Sequence, residues 1–260
     1  MERRGQWIKD LVPGCMRSQL SLIMRSIGIA KMERRDQWIK DLVPGKSFVD
    51  VGGLWGTVNE KVTLAAKAGA ASTAMLDVTP LGQPLWQAFY ERCASLGVSG
   101  YQALSASIDE PGLEKKVGQF DVVHCSGVIY HCPNPLHTLT QLARISREHL
   151  ILTTTVIPTM VSNNKGTITV PPGGALFIPY LPHDQREILK EHWEAGGVSD
   201  AIGGITEQPL VWHVEDHGPW WWLFPVPTVR QLIMAAGFDV LEDCPFWGGK
   251  AHCFLTRKRE

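Results

Sequence analysis

The sequence predicts an α/β protein built on a doubly wound, mostly parallel sheet with helices on both faces. Three observations carry that prediction. From Ser47 onward, strand-like and helix-like patterns alternate, which is how βαβ units feed a parallel sheet. The first strand runs into a glycine turn, FVDVGGLWG, from Phe48 to Gly56. Acidic residues recur at the ends of the first three strands, as Asp50, Asp77 and Asp109. A chain of 260 residues is long enough to bury a full core as one domain carrying an insertion.

The elements follow in order. MERRGQWIKDLVPG at 1–14 recurs almost letter for letter as MERRDQWIKDLVPG at 32–45. Only the second copy leads directly into the first strand, so it is expected to be a helix packed on the sheet and stopped by Pro44 and Gly45. The first copy is expected to be an appended helix, giving an N-terminal helical segment over 1–45. Two copies fall short of a solenoid, which needs about three repeats. Strands are expected at 47–52, 73–78, 101–106, 120–125 and 149–156, with helices between them, in a main domain covering 46–260. The alternation breaks at Pro158 into a Gly- and Pro-rich insertion over about 158–224, with one helical piece from Asp184 to Ala195. A helix, TVRQLIMAAGF, and two closing strands, DVLEDCPF and KAHCFLTRK, complete the chain. An insertion between the fifth strand and the last helix lies where a lid or substrate wall would sit.

Composition narrows the function. A formal charge of -1 gives no long-range pull on polyanions, so nucleic acid is not the first expectation. Six cysteines with no C-x-x-C pair, in a chain too large to need staples, read as reduced thiols and favour a cytoplasmic protein. The polar start and the short Leu20–Ala30 stretch, broken by Arg25 and Ser26, predict a soluble chain with no membrane partner.

In a doubly wound sheet the ligand binds outside the carboxyl ends of the strands, beside the first strand. Gly52 and Gly53 let the backbone approach a ligand closely, and Gly56 lets the next helix pack tightly. A dinucleotide turn would read G-x-G-x-x-G, but counted from Gly52 the third and sixth positions are Leu54 and Thr57. Asp50, inside the strand, suits a ligand with a cationic end, met directly or through water. Asp77 ends the second strand, where a carboxylate accepts paired hydrogen bonds from ribose hydroxyls. Ser107, Ile108 and Asp109 follow the third strand and suit an adenine edge. One such acid is commonly a turn former; three at matching strand ends behind a glycine turn are not explained that way.

Taken together, VDVGGLWG, MLDV and FDVVHCSGVIYHCPNP resemble the class I S-adenosylmethionine-dependent methyltransferases, over residues 46–157 and again over 224–257. GVIYHCPNP and FPVPTVRQLIMAAGF are similar to the tRNA wobble-uridine carboxymethyltransferase branch and to related small-molecule methyltransferases. The resemblance implies a Rossmann-like, seven-stranded sheet with a reversed final hairpin and S-adenosyl-L-methionine as cofactor. It also implies that Asp50, Gly52 and Gly53 flank the methionine moiety, Asp77 holds the ribose, Asp109 lies near the adenine, and Ser126 and Gly127 border the cofactor. The chain departs from the pattern at Leu54, where the family usually has glycine, and a less open loop is expected there.

Transfer to an alcohol also needs a base for its proton. In WHVEDHGPWWW, His213, Glu215, Asp216 and His217 place four titratable groups in five residues beside Trp212, Trp220, Trp221 and Trp222, inside the insertion that should cover the acceptor. His217 or His213 is the candidate base with Asp216 orienting its ring; a solvated polar loop is the alternative. The spacing matches no standard metal motif, so no metal is expected, a divalent ion held by Asp216 and a histidine being the lesser alternative. His131 follows the fourth strand and either touches the acceptor or orders the loop into the Asn134–Pro135 helix start, whereas His124, within the strand, is expected to be structural. The leading expectation is O-methylation of a small polar acceptor such as a sugar or natural product. The alternative is a tRNA-modifying enzyme of the wobble-uridine kind, which the near-neutral charge disfavours. The duplicated segment leaves a homodimer open.

Overall fold

The computed structural model describes residues 33–55, 59–171, 173–195, 205 and 219–260. The chain divides after Arg34, and Arg35–Glu260 forms one unit that holds every strand. The first copy of the duplicated segment, Gly56, and the sequence from Trp212 to His217 lie outside the described residues.

Five strands alternate with helices as the pattern predicts. They are β1 (Ser47–Val51), β2 (Ser72–Asp77), β3 (Gln102–Ser105), β4 (Phe120–Ser126) and β5 (Ser146–Thr155). The insertion contributes β6 (Met160–Asn163), β7 (Gly166–Thr169), β8 (Leu176–Phe177) and β9 (Trp222–Leu223), and the chain closes with β10 (Phe238–Phe246) and β11 (Ala251–Lys258). The described helices are α1 (Arg34–Leu42), α2 (Val62–Lys67), α3 (Pro84–Ser95), α4 (Leu113–Val117), α5 (Pro135–Ile145), α6 (His183–Ala195) and α7 (Val226–Ala235). Proline opens α3, α5 and α7, where its missing N–H costs nothing, and the Asn134 side chain caps α5 by accepting the His137 N–H at 3.1 Å.

The main sheet has seven strands in the order β10-β11-β5-β4-β1-β2-β3. Strands β1 to β5 are mutually parallel, and β11 runs antiparallel between β5 and β10. This is the expected reversed final hairpin. The strand order turns back between β1 and β4, so the crevice beside their carboxyl ends is the switch point of the sheet.

The period of two assigns the sheet faces. Val49 and Val51, with Ala74, Leu76, Val123 and Cys125, pack under α5 and α7. On the other face Phe48, Val122 and Ile151 pack under Trp38 and Ile39 of α1, the helix of the second repeat copy. Met75, one register step from the sheet edge, packs with Leu54, Val62, Trp86 and Phe89. Leu54 is fully buried there, so its side chain goes into the core beneath the turn rather than into the loop's open side. Burying a side chain of that size contributes about 1.5–3 kcal/mol.

The insertion is more built than its Gly and Pro content suggests. β6 and β7 form a hairpin packed against α6, β8 pairs with β9, and Ile168, Ile178, Leu189 and Trp193 lie in a core of their own. Its stem is closed by the Ile157 N–H donating to the Phe224 carbonyl at 3.0 Å. Strands of two to four residues are too short to show a periodic pattern, which is why the sequence shows only the helix.

Candidate active site

Because β1 to β4 are parallel, the turn at Gly52 and Gly53, Asp77, Asp109, Ser126 and Gly127 all sit at one edge of the sheet. Gly52 has φ +75° and its N–H donates to the Leu76 carbonyl at 2.8 Å, which stitches the turn to the end of β2. A Cβ on Gly52 would meet Val128 Cγ2 at 2.5 Å, and one on Gly53 would meet Asp50 Oδ2 at 2.5 Å and Met75 Cε at 2.8 Å. Both positions therefore require glycine: the first by conformation and contact, the second by contact alone.

Asp50 is 1% exposed, and both of its oxygens are engaged by the chain itself. Oδ2 accepts the Lys61 N–H at 2.8 Å, and Oδ1 lies 2.7 Å from Nδ1 of His124, its partner in register on β4. The carboxylate is turned into the sheet under α1, so what it presents to the edge is the shape of the glycine turn rather than an open oxygen. Arg35 of α1 is also buried at this face, and its Nη1 donates to Ser126 Oγ at 3.3 Å.

Burial alone would raise the Asp50 carboxyl, but the attraction of His124, its hydrogen bond and the Lys61 N–H outweigh this and hold it below its ordinary value. Burial pushes the His124 ring down against the opposing pull of Asp50. Each group thus releases its proton more readily in the folded chain than in the unfolded one. The unfolded chain takes up the histidine proton first, below about pH 6.5, and the Asp50 proton lower still, so stability is full above that range and falls as pH drops. The thermal midpoint is expected to decline below pH 6.5, and the first part of that decline should flatten in His124→Asn, as read by melting curves across pH. Identical curves would remove the pair as its source.

Asp77 is 4% exposed. Its Oδ1 accepts the Thr79 N–H at 2.9 Å, while Oδ2 has no hydrogen-bond partner among the described residues. A carboxylate with one oxygen fixed and one available, at the end of β2 beside the turn, suits a vicinal diol. Asp109 is half-buried and accepts the Thr138 hydroxyl at 2.7 Å, which ties the loop after β3 to α5. Gly127 has φ +77° and donates its N–H to the Thr153 carbonyl at 3.0 Å.

His131 joins this edge to the insertion. Its Nδ1 donates to the Pro219 carbonyl at 3.0 Å, the Trp221 N–H donates to the Tyr130 carbonyl at 2.8 Å, and Trp222 Nε1 donates to the Pro133 carbonyl at 3.0 Å. The end of the insertion is thereby fastened to the loop after β4, with Trp220 packed edge-on against Tyr130. His131 anchors the end of the insertion and does not start α5, where the Asn134 side chain caps the helix. His213, Glu215, Asp216 and His217 fall outside the described residues, immediately before that anchored segment. Sequence reasoning placed His124 within its strand as structural but without its Asp50 partner, and did not single out Arg35.

Among the described residues no group of three or more His, Cys, Asp or Glu is placed to hold a metal, no disulfide joins the five cysteines, and no helix is long and apolar enough to cross a membrane. No protein-family model matches the sequence, and no curated protein matches it. Solved structures do match by shape. A candidate methyltransferase from Bacillus halodurans is similar with a TM-score of 0.55 at 12% identity, over 87% of this chain and 98% of that one. The N-terminal domain of EvdMO1, in the presence of S-adenosylhomocysteine and D-fucose, is similar with a TM-score of 0.51 at 14% identity, over 94% and 96%. A candidate Zn-dependent alcohol dehydrogenase from Rhodobacter sphaeroides is similar with a TM-score of 0.56 at 13% identity, over 92% and 94%. Likeness at such identities fixes architecture and leaves chemistry to the residues. The chain has the Rossmann-like, seven-stranded fold of the class I S-adenosylmethionine-dependent methyltransferases.

Proposed function

We propose that the protein transfers the methyl group of S-adenosyl-L-methionine to an oxygen of a small polar acceptor, a sugar or natural-product hydroxyl. One observation carries the reading: the buried Asp77 carboxylate, with Oδ2 available, stands beside a turn whose two glycines have no room for a side chain. A diol-holding acid next to a close backbone approach fits an adenosyl ligand with a methionine tail. In this reading Gly52 and Gly53 flank the methionine moiety, Asp77 holds the ribose, Asp109 lies by the adenine, and Ser126 and Gly127 border the cofactor. Asp50 acts on the methionine end by shaping the turn. The cofactor supplies an activated methyl group. The chain's own part would be to hold the acceptor hydroxyl in line with that methyl group and to take up the hydroxyl proton at a base, His217 or His213 with Asp216 orienting the ring.

The end of the insertion, tied by His131 and Trp220 to the loop after β4, supports a small acceptor, since it brings aromatic side chains to the loop that follows Gly127. The EvdMO1 domain solved in the presence of D-fucose makes a sugar hydroxyl the first acceptor class to test. The test supplies methyl-labelled S-adenosylmethionine and two acceptor pools, a small-molecule extract rich in sugars and bulk tRNA. Label is expected in the small-molecule pool, with turnover lost in His217→Gln while S-adenosylhomocysteine affinity stays unchanged. Label in tRNA would overturn the acceptor assignment, and S-adenosylhomocysteine binding with no labelled product in any pool would point to a binding fold without catalysis.

A further inference from the structure

We propose that His124 is a positioning residue for the cofactor turn, acting through Asp50, and this rests on the methyltransferase reading above. The two side chains are cross-strand partners in the centre of the sheet, 2.7 Å apart, with His124 2% and Asp50 1% exposed. Asp50 touches both flanks of the turn. Its Oδ2 accepts the Lys61 N–H at the far flank, and the Gly53 α-carbon sits so close above it that an added Cβ would lie 2.5 Å from that oxygen. A carboxylate in this position is a template for the turn only while its own rotation is stopped, and His124 Nδ1 is the group that stops it.

The chemistry of the ring fixes the tautomer. His124 Nε2 is buried and has no hydrogen-bond partner among the described residues. A doubly protonated ring would leave one buried donor unmade, and an Nε2–H tautomer would also turn the Nδ1 lone pair toward a carboxylate. Nδ1–H donating to Asp50 Oδ1, with a bare Nε2, avoids both. Two cations face the pair, Arg35 from α1 and Lys61 at the flank of the turn, and Lys61 Nζ is held 2.8 Å from Asp36. Among the described residues the carboxylate therefore has several charged neighbours and one side-chain hydrogen bond, from His124, that sets its orientation.

Asparagine and glutamine separate positioning from bulk. The amide nitrogen of asparagine falls near the place of Nδ1 and that of glutamine near Nε2, so His124→Asn keeps the donor to Asp50 and His124→Gln removes it, as does His124→Leu. Two readouts apply: hydrogen exchange at the Lys61 amide, which reports its bond to Asp50 whatever the ligand, and calorimetric titration with S-adenosylhomocysteine. The Leu and Gln variants are expected to lose Lys61 protection and at least about tenfold in affinity, while amides of β5 and β11 stay protected and Asn restores affinity to within about threefold. Unchanged Lys61 exchange in Gln, or failure of Asn to rescue, would overturn the proposal. If the native chain did not bind S-adenosylhomocysteine, the methyltransferase reading would fall while Lys61 exchange still decided the positioning role. Should Leu fail to fold, the contrast between Gln and Asn decides it.

Discussion

Replacing Asp77 by alanine is expected to weaken S-adenosylhomocysteine binding at least about tenfold, with the fold intact. A hydrogen bond to a charged group contributes about 1.5–3 kcal/mol, and a diol makes up to two with one carboxylate. A loss of about 1.4 kcal/mol is already tenfold. The variant also removes the acceptor of the Thr79 N–H, which loosens the loop after β2 and adds to the loss. Asp77→Asn keeps one acceptor oxygen and should fall between native and Ala. Calorimetric titration of the three proteins checks the order, and unchanged affinity in Asp77→Ala would take the ribose away from this residue.

The second large effect is expected from Gly53→Val. Its φ is not in the left-handed region, so the effect comes from contact: a Cβ would lie 2.5 Å from Asp50 Oδ2 and 2.8 Å from Met75 Cε. Met75 Cε is the end of a flexible side chain and can move. The Asp50 oxygen cannot do so without giving up the Lys61 N–H or the His124 ring. Overpacking of this kind costs about 1–3 kcal/mol, and the turn would lift from the sheet edge. The variant should lose that much stability in urea unfolding and lose detectable S-adenosylhomocysteine binding. Native-like binding would show that the turn is not where the ligand lies.

Much of the frame was legible because long strands and amphipathic helices state their period. The five parallel strands fall within three residues of where alternation puts them, and the turn falls where the first strand stops. The insertion was legible only as α6, because β8 and β9 have two residues each and their pairing is set by tertiary contact. The acids were found as a set, but their directions were not. In FVDV the period of two does place Asp50 on the face of Phe48, turned under α1, and in VVHC it places His124 on the face of Val122. What the sequence alone does not supply is that β4 lies beside β1, and only that adjacency makes the two a pair. His131 shows the same limit, since its partner is a main-chain carbonyl at Pro219, far along the chain.

Titrating isotope-labelled protein with S-adenosylhomocysteine, while backbone amide resonances are followed, tests most directly whether the sheet edge beside β1 and β4 holds an adenosyl ligand. Saturable shifts are expected, concentrated at Gly52, Gly53, Thr79, Ser126 and Gly127, with amides of β10 little changed. Absence of saturable shifts, or shifts gathered away from that edge, would contradict the assignment.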